Sequence, residues 1–384
     1  MSLSQSDKTE TATDPLLSQL KLSDLKLRNR ILMAPLTRAR SNHDDRTQTA
    51  LHALYYAQRA SSGLIISEAT QISQEGIGYA WTPGIHTDSQ VESWKLVNDA
   101  VHNAGGYIFC QLWHVGAISH PVFQKDSSQP VSSSVWTPEG NAFVGTYHPD
   151  GPQIPHVECR ALQTDEIPRI LDDYRHAAMQ AKAANFDGVE IHAANGYLID
   201  QFLRDSVNRR DDQYGGSIEN RIQLLTEVVD AVCKVLPAGR VGVRLTPIGG
   251  PGGSSDSDPV TLYTAAAKAI SGKGLSYLHV VRANSHVGGS STELSEQAIK
   301  SMRQAFDGIF IANGGFSPVE ASQWLIDGHA DAVAFGRLFI ANPDLPHRIA
   351  SGKELNEADE NTFYGGGAKG YVDYPTAQKT TDSM

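Results

Sequence analysis

Cysteine is scarce in this chain: Cys110, Cys159 and Cys233 are the only three in 384 residues, scattered and without a C-x-x-C spacing. That argues against a disulfide framework, a structural zinc or an iron–sulfur cluster, and suits a reducing, cytoplasmic compartment. Positive charge is also in short supply. Lys and Arg total 32 against 43 Asp and Glu, a net charge of −11 with no basic arm or tail, so a nucleic-acid partner is disfavoured. No apolar run approaches the roughly 18 residues a membrane helix needs. The first fifteen residues are polar and threonine-rich, without the apolar segment of a secretory signal. We read residues 1–15 as a flexible polar terminus and 376–384 as a C-terminal tail.

What remains is an ordinary globular composition, 40% hydrophobic and 20% charged, arranged with a regular alternation. Short apolar, β-branched runs read as strands at Ile31–Pro35, Leu64–Ser67, Tyr107–Cys110, Asp187–Ile191, Val241–Leu245, Tyr277–Val281, Ile309–Ala312 and Ala332–Phe335. Helical patterns fall between them at Leu51–Ala60, Gln90–Ala104, Asp165–Asn185 (Thr164 its expected N-cap), Arg221–Val235, Thr261–Lys273, Leu294–Phe306 and Val319–Asp327. Eight strands alternating with helices, with no linker or change of composition from 16 to 375, predict an α/β fold: one (β/α)₈ TIM barrel. Residues 117–160, rich in Pro, Ser and Gly, form a capping insertion after the third strand, and the glycine-rich stretch 249–258 is expected to be mobile.

In such barrels the chemistry sits at the carboxyl ends of the strands, and phosphate groups bind after strands seven and eight. Ala312-Asn313-Gly314-Gly315 and Phe335-Gly336-Arg337 occupy those two positions. Glycines leave backbone N–H groups unshielded and an arginine can fork onto a dianion, whereas either stretch alone would be an ordinary turn. Thr37, Ala69, Gln111, His114, His192, Asn195 and Arg244 lie at or just beyond other strand ends. This is a hydrogen-bonding rim with one cation and no acidic residue, since Asp187 and Glu190 fall within or at the start of a strand. It is a poor metal site, and no metal is expected. His192, Asn195 and Tyr197 arrive together after the fourth strand; two donors and a phenol can grip a carbonyl oxygen and pass a proton to a nearby carbon. Taken singly, they would be a core histidine and a packed tyrosine.

Several longer phrases carry a resemblance. They are Ala34-Pro35-Leu36-Thr37-Arg38, Gln111-Leu112-Trp113-His114-Val115-Gly116, His192-Ala193-Ala194-Asn195-Gly196-Tyr197-Leu198, Arg204 to Arg210 with Asp212 to Ser217, and Tyr364 to Ala368. Together they resemble the Old Yellow Enzyme family across residues 15–375, most of all the bacterial branch that includes N-ethylmaleimide reductase and pentaerythritol tetranitrate reductase. The resemblance implies tightly bound, non-covalent FMN and NADPH as the electron donor. It implies that Thr37 bonds flavin O4, Gln111 reads the pyrimidine edge, and Arg244 sits beside N1 and O2, where charge collects on reduction. Ala34, Pro35 and Ala69 would contact the flavin through backbone, and Ala312, Asn313, Gly314, Gly315, Gly336 and Arg337 would hold its phosphate end. His192 and Asn195 resemble the pair that grips a substrate carbonyl or nitro oxygen. Tyr197 resembles the acid that protonates the α-carbon after hydride reaches the β-carbon, and Tyr79, Trp113 and Tyr364 resemble aromatic walls. Many relatives carry a second histidine at the position of Asn195, and an amide cannot take a proton as imidazole can.

The implied activity is an NAD(P)H-driven reduction of activated alkenes, extending to nitrate esters, by a monomer or homodimer without nucleic-acid or membrane partners. A metal hydrolase or a non-catalytic flavin sensor on the same barrel would be the rival readings.

Overall fold

The structure, a computed structural model, describes residues 14–145, 153–283 and 292–377. Eight parallel strands close on themselves: β1 (Ile31–Met33), β2 (Ile65–Ile66), β3 (Ile108–Trp113), β4 (Gly188–His192), β5 (Val241–Leu245), β6 (Tyr277–Val281), β7 (Phe310–Asn313) and β8 (Ala332–Phe335). Neighbours follow sequence order, and both the β8–β1 and β3–β4 pairings are made, so the sheet has no open break. Every residue of these strands is buried, as a parallel sheet covered on both faces requires.

Alternation along each strand separates two cores. Ile31, Met33, Ile65, Leu112, Val189, Ile191, Val241 and Val243 face outward onto the helices. Leu32, Leu64, Ile66, Phe109, Tyr277, Ile311 and Ala332 fill the barrel's lower interior. A hairpin that the sequence reading does not anticipate, Leu20–Leu22 with Leu25–Leu27, adds four leucines to that interior cluster and plugs the amino end. The other end, where the strands terminate, is left for polar groups.

The helices of seven or more residues among the described residues are α1 (Ala50–Ala57), α2 (Asp88–Asn103), α3 (Ile167–Ala183), α4 (Ile218–Cys233), α5 (Pro259–Ile270), α6 (Thr292–Ala305), α7 (Pro318–Ile326) and α8 (Leu345–Ser351). Thr164 is not an N-cap: it opens a 3₁₀ turn, Thr164–Glu166, ahead of α3, and its hydroxyl donates to Asp212 at 2.5 Å. The third strand also runs three residues past the expected Cys110, which brings Gln111 and Trp113 inside it.

Residues 117–160 contain two small ribbons, Val131–Ser132 with Arg160–Ala161 and Asn141–Phe143 with Gln153–Pro155; residues 146–152 lie outside the described set. Gln201, in the short helix Leu198–Leu203, accepts from Ser132 Oγ at 2.8 Å and from Ala117 N at 3.1 Å, which ties the insertion to the segment after β4. The stretch 249–258, expected to be mobile, is hydrogen-bonded to side chains of the segment after β4 and of α4. Buried Arg204 donates to Thr246 O, Gly249 O and Ser254 O at 2.6–2.8 Å, and Arg221 pairs with Asp256 at 2.5 Å. Arg38 and Arg40 clasp the carbonyls of Thr362, Phe363 and Gly370 and so hold the segment bearing Tyr364 against the barrel. The polar terminus expected at 1–15 and the tail at 376–384 fall almost wholly outside the described residues. Among the described residues no helix is long and apolar enough to cross a membrane.

Candidate active site

A polar layer lies above the apolar interior, built by strand register. Gln111 of β3 stands opposite Glu190 of β4, and Arg244 of β5 opposite His279 of β6. Their side chains join across the barrel. Gln111 Nε2 donates to Glu190 Oε1 at 2.7 Å; Glu190 Oε2 lies 2.8 Å from His279 Nδ1; His279 Nε2 lies 3.0 Å from Arg244. Arg244 also donates to Asn313 Oδ1 at 3.1 Å, and Asn313 Nδ2 donates to Ala334 O at 2.7 Å. Burial pushes the Glu190 carboxyl up, but His279, Arg244 and Gln111 outweigh it and hold the carboxyl below its ordinary value. Burial and Arg244 together depress His279 despite Glu190, which leaves its ring neutral. Arg244 Nε is buried with no hydrogen-bond partner among the described residues. A buried donor in that state costs about 1–3 kcal/mol unless something accepts from it.

Above this layer sits an aromatic group. His192 shares the inward face with Glu190, two residues earlier. Ala194 N donates to its Nδ1 at 3.3 Å, so the proton is on Nε2. Burial, then Arg244 and His279, lower the pKa of His192 well below the ordinary value, and the ring stays neutral. The Tyr197 ring stands edge-on to His192 at 5.0 Å and to Trp113 at 5.1 Å, with Tyr79 stacked on Trp113 at 5.2 Å. The Tyr197 and Tyr79 hydroxyls are 3.1 Å apart. Burial pushes Tyr197 well above the usual phenol range, with Tyr79 and Tyr364 adding to it, and Tyr79 rises to about 12. Tyr364 is 44% exposed, so it forms an outer edge of this group more than a buried wall.

Asn195 adopts a left-handed backbone, φ 55°, followed by Gly196 at φ 70°. A Cβ on Gly196 would stand 2.9 Å from Pro251 O, so the turn tolerates no side chain there. The turn aims the Asn195 side chain at Thr246, whose hydroxyl donates to Asn195 Oδ1 at 2.7 Å. With its oxygen used in this way, the amide presents Nδ2 as a donor.

The remaining expected positions spread around the same rim. Ala34 N donates to Phe335 O at 3.0 Å, which places the β1 exit beside β8, and Pro35 and Thr37 are half-buried just beyond it. Ala69 packs with Tyr79 and Trp113. The Ala312 methyl points outward to the helices, so only its backbone faces the rim. Gly314 has φ 125°, and a Cβ there would meet Arg282 Cγ at 2.5 Å. Gly315 has open space around it, Gly336 stands 3.3 Å (by its would-be Cβ) from Leu36, and Arg337 is exposed, 3.8 Å from Glu360. His114 is fully buried, with Nδ1 accepting from Gly116 N at 3.1 Å.

Three members of the site escaped sequence reasoning. Glu190 reads only as a residue within its strand, and neither His279 nor Thr246 is singled out by the sequence. The expectation of a rim without an acidic residue is corrected, because Glu190 reaches into the polar layer from within its strand. A parity signal was available: Glu190 lies two residues before His192, so both must face inward. Among the described residues no cluster of three or more His, Cys, Asp or Glu side chains is placed to hold a metal ion.

Residues 15–356 match the model of the NADH:flavin oxidoreductase / NADH oxidase family. The chain is 43% identical to 12-oxophytodienoate reductase 1 of Oryza sativa subsp. japonica over 95% of this chain and 93% of that one. It is 41% identical to flavin oxidoreductase hxnT of Emericella nidulans, over 95% and 98%. Among solved structures it is similar to morphinone reductase (48% identity, TM-score 0.91, 98% of this chain and 100% of that one), a protein also solved in complex with tetrahydroNAD. The old yellow enzyme homologue from Zymomonas mobilis is 43% identical with a TM-score of 0.88, over 94% and 99%.

Proposed function

The chain belongs to the NADH:flavin oxidoreductase / NADH oxidase family, the family of Old Yellow Enzyme, and from that premise we propose which residues carry the chemistry of an FMN-dependent NAD(P)H ene-reductase, and on what substrates. The observation that carries the assignment of the flavin site is Arg244, a buried cation with a donor to spare, fixed between His279 and Asn313 at the strand tips. That donor set fits the flavin pyrimidine, whose N1 and O2 offer acceptors and gain negative charge on reduction. Gln111, with its Nε2 turned to Glu190, offers its oxygen to the same edge. Thr37, with Ala34, Pro35 and Ala69, lines the other side of the ring. The bare backbone of Gly314, Gly315 and Gly336, with that of Ala312 and Asn313 and the Arg337 side chain, takes the phosphate.

FMN held there would supply the hydride for the β-carbon of an alkene, at the expense of NAD(P)H. The residues do the rest. His192 Nε2–H and Asn195 Nδ2–H grip the carbonyl or nitro oxygen, polarise the double bond and set its β-carbon toward the flavin face. A neutral imidazole suits this, since it donates a hydrogen bond without giving up a proton. Tyr197 holds its proton on the phenol oxygen and passes it to the α-carbon as the enolate forms. Tyr79 holds that phenol at 3.1 Å. Trp113 and Tyr364 bound the pocket laterally.

The substrates that match two donors and one acid are α,β-unsaturated ketones, maleimides and nitroalkenes. The experiment is NAD(P)H oxidation with and without 2-cyclohexenone. Consumption that depends on the enone, with cyclohexanone as product, is expected. Oxidation at the same rate without enone under anaerobic conditions, and no cyclohexanone, would overturn the substrate class.

A further inference from the structure

Glu190 is the one fully buried carboxylate in the polar layer, and the chemistry above gives it no task. It lies between Gln111, at 2.7 Å, and His279, at 2.8 Å. We infer that Glu190, acting partly through His279, is a positioning residue for the flavin: it sets which way the Gln111 amide points, holds the His279 ring against Arg244, and sets how strongly Arg244 favours the reduced over the oxidised cofactor. This rests on the flavin site proposed above.

The reasoning is one of donors and acceptors. An ionised carboxylate only accepts, so whatever it touches must donate. The two ends of an amide are nearly the same shape, and nothing but its partners decides its orientation. With Nε2 held by Glu190, Gln111 must present its oxygen to the site. On the other side, His279 must carry its proton on Nδ1 to reach Glu190. Arg244 Nη1 lies 3.3 Å from His279 Nδ1 and 3.0 Å from Nε2, so the guanidinium rests against the face of the ring. A single carboxylate therefore fixes the polarity of Gln111 and the placement of the ring that Arg244 rests on.

The spacing matters as much as the polarity. A carboxylate placed only to neutralise Arg244 would touch it directly, as Asp200 touches Arg204 at 3.0 Å elsewhere in this barrel. Here a neutral imidazole stands between the two charges. The cation is partly compensated, yet its Nε remains without a protein partner. The remaining attraction for negative charge is what a reduced flavin experiences, so the carboxylate acts as a brake on that attraction.

The experiment compares the dissociation constants of oxidised and reduced FMN for the wild type, Glu190→Gln and two His279 variants, together with the reduction potential of the bound cofactor. Glu190→Gln removes the negative charge and forces either Gln111 or His279 to reverse. Oxidised FMN should bind at least tenfold more weakly, and the ratio of the two constants should move tenfold toward the reduced form. For a two-electron couple that is a rise of about 30 mV. His279→Gln can still donate to Glu190, so it should keep the wild-type ratio within about twofold, whereas His279→Leu should not. Equal weakening of both states in Glu190→Gln, with no change of potential, would reduce Glu190 to a structural role and overturn the inference. If Glu190→Gln does not fold, the His279 pair decides: identical ratios in the Gln and Leu variants overturn it. A wild type that takes up no FMN would sink the flavin site itself, which is a different failure from a bound flavin indifferent to these substitutions.

Discussion

Replacing Tyr197 by Phe removes one oxygen from the site and keeps the ring that packs against His192 and Trp113. Two losses can be weighed. The hydroxyl's contact with Tyr79, at 3.1 Å, is a single neutral hydrogen bond, and its loss is worth about 1 kcal/mol, a factor of about five. The loss of a general acid is larger, typically 10²–10⁴ in rate. Burial and Tyr79 push this phenol well above its ordinary value, so it keeps its proton through neutral pH but is a weak acid. A weak acid belongs in the lower part of the range, roughly 10²–10³, or about 3–4 kcal/mol of barrier. Anaerobic stopped-flow separates the two half-reactions. Alkene reduction should slow by that factor while flavin reduction by NADPH changes by less than about threefold. A fall of only about fivefold would leave Tyr197 as a packing residue. Equal falls in both half-reactions would show that the substitution disturbs the flavin and not the proton transfer.

Other consequences follow from the same geometry. Thr246→Val keeps the volume but removes the hydroxyl that orients Asn195 at 2.7 Å; cyclohexenone should bind about fivefold more weakly, the equivalent of about 1 kcal/mol, and unchanged affinity would refute the orienting role. His192 is held neutral by burial and by Arg244, so the KM for an enone should be flat from pH 8 down to pH 5; a rise setting in near the ordinary histidine value would contradict this. Glu68 is fully buried and its carboxyl is pushed up to about 7 by burial. Its folded pKa lies above its unfolded value, so its contribution is fully present below about pH 4.5 and lost as pH rises to 7, about 3 kcal/mol in all. Glu68→Gln should therefore gain stability over the wild type at pH 8 and not at pH 4, read from denaturant midpoints; an equal difference at both pH values would refute the assignment.

The barrel was legible because each strand is a short apolar run closed by a polar or glycine turn, and local pattern suffices for that. The site was legible where it follows strand tips: Gln111, His192, Asn195, Tyr197 and Arg244 are all placed by the end of a strand. Glu190 and His279 were not, because their function depends on partners across neighbouring strands, and register is a property of the closed sheet. The hairpin of four leucines was missed since its two strands are only three residues each. The contacts of the stretch 249–258 with Arg204 and Arg221 were not legible, because neither arginine is local in sequence. Thr164 has the residue type of an N-cap, but Pro168 at the second position of α3 and the preceding 3₁₀ turn move the helix start to Ile167.

The most direct test is an anaerobic titration of the purified, FMN-loaded protein with NADPH, followed by 2-cyclohexenone. One equivalent of bound flavin should lose its visible absorbance with one equivalent of NADPH and regain it on addition of one equivalent of enone, without oxygen. A protein that takes up no FMN, or whose reduced flavin is left bleached by the enone, would contradict the account.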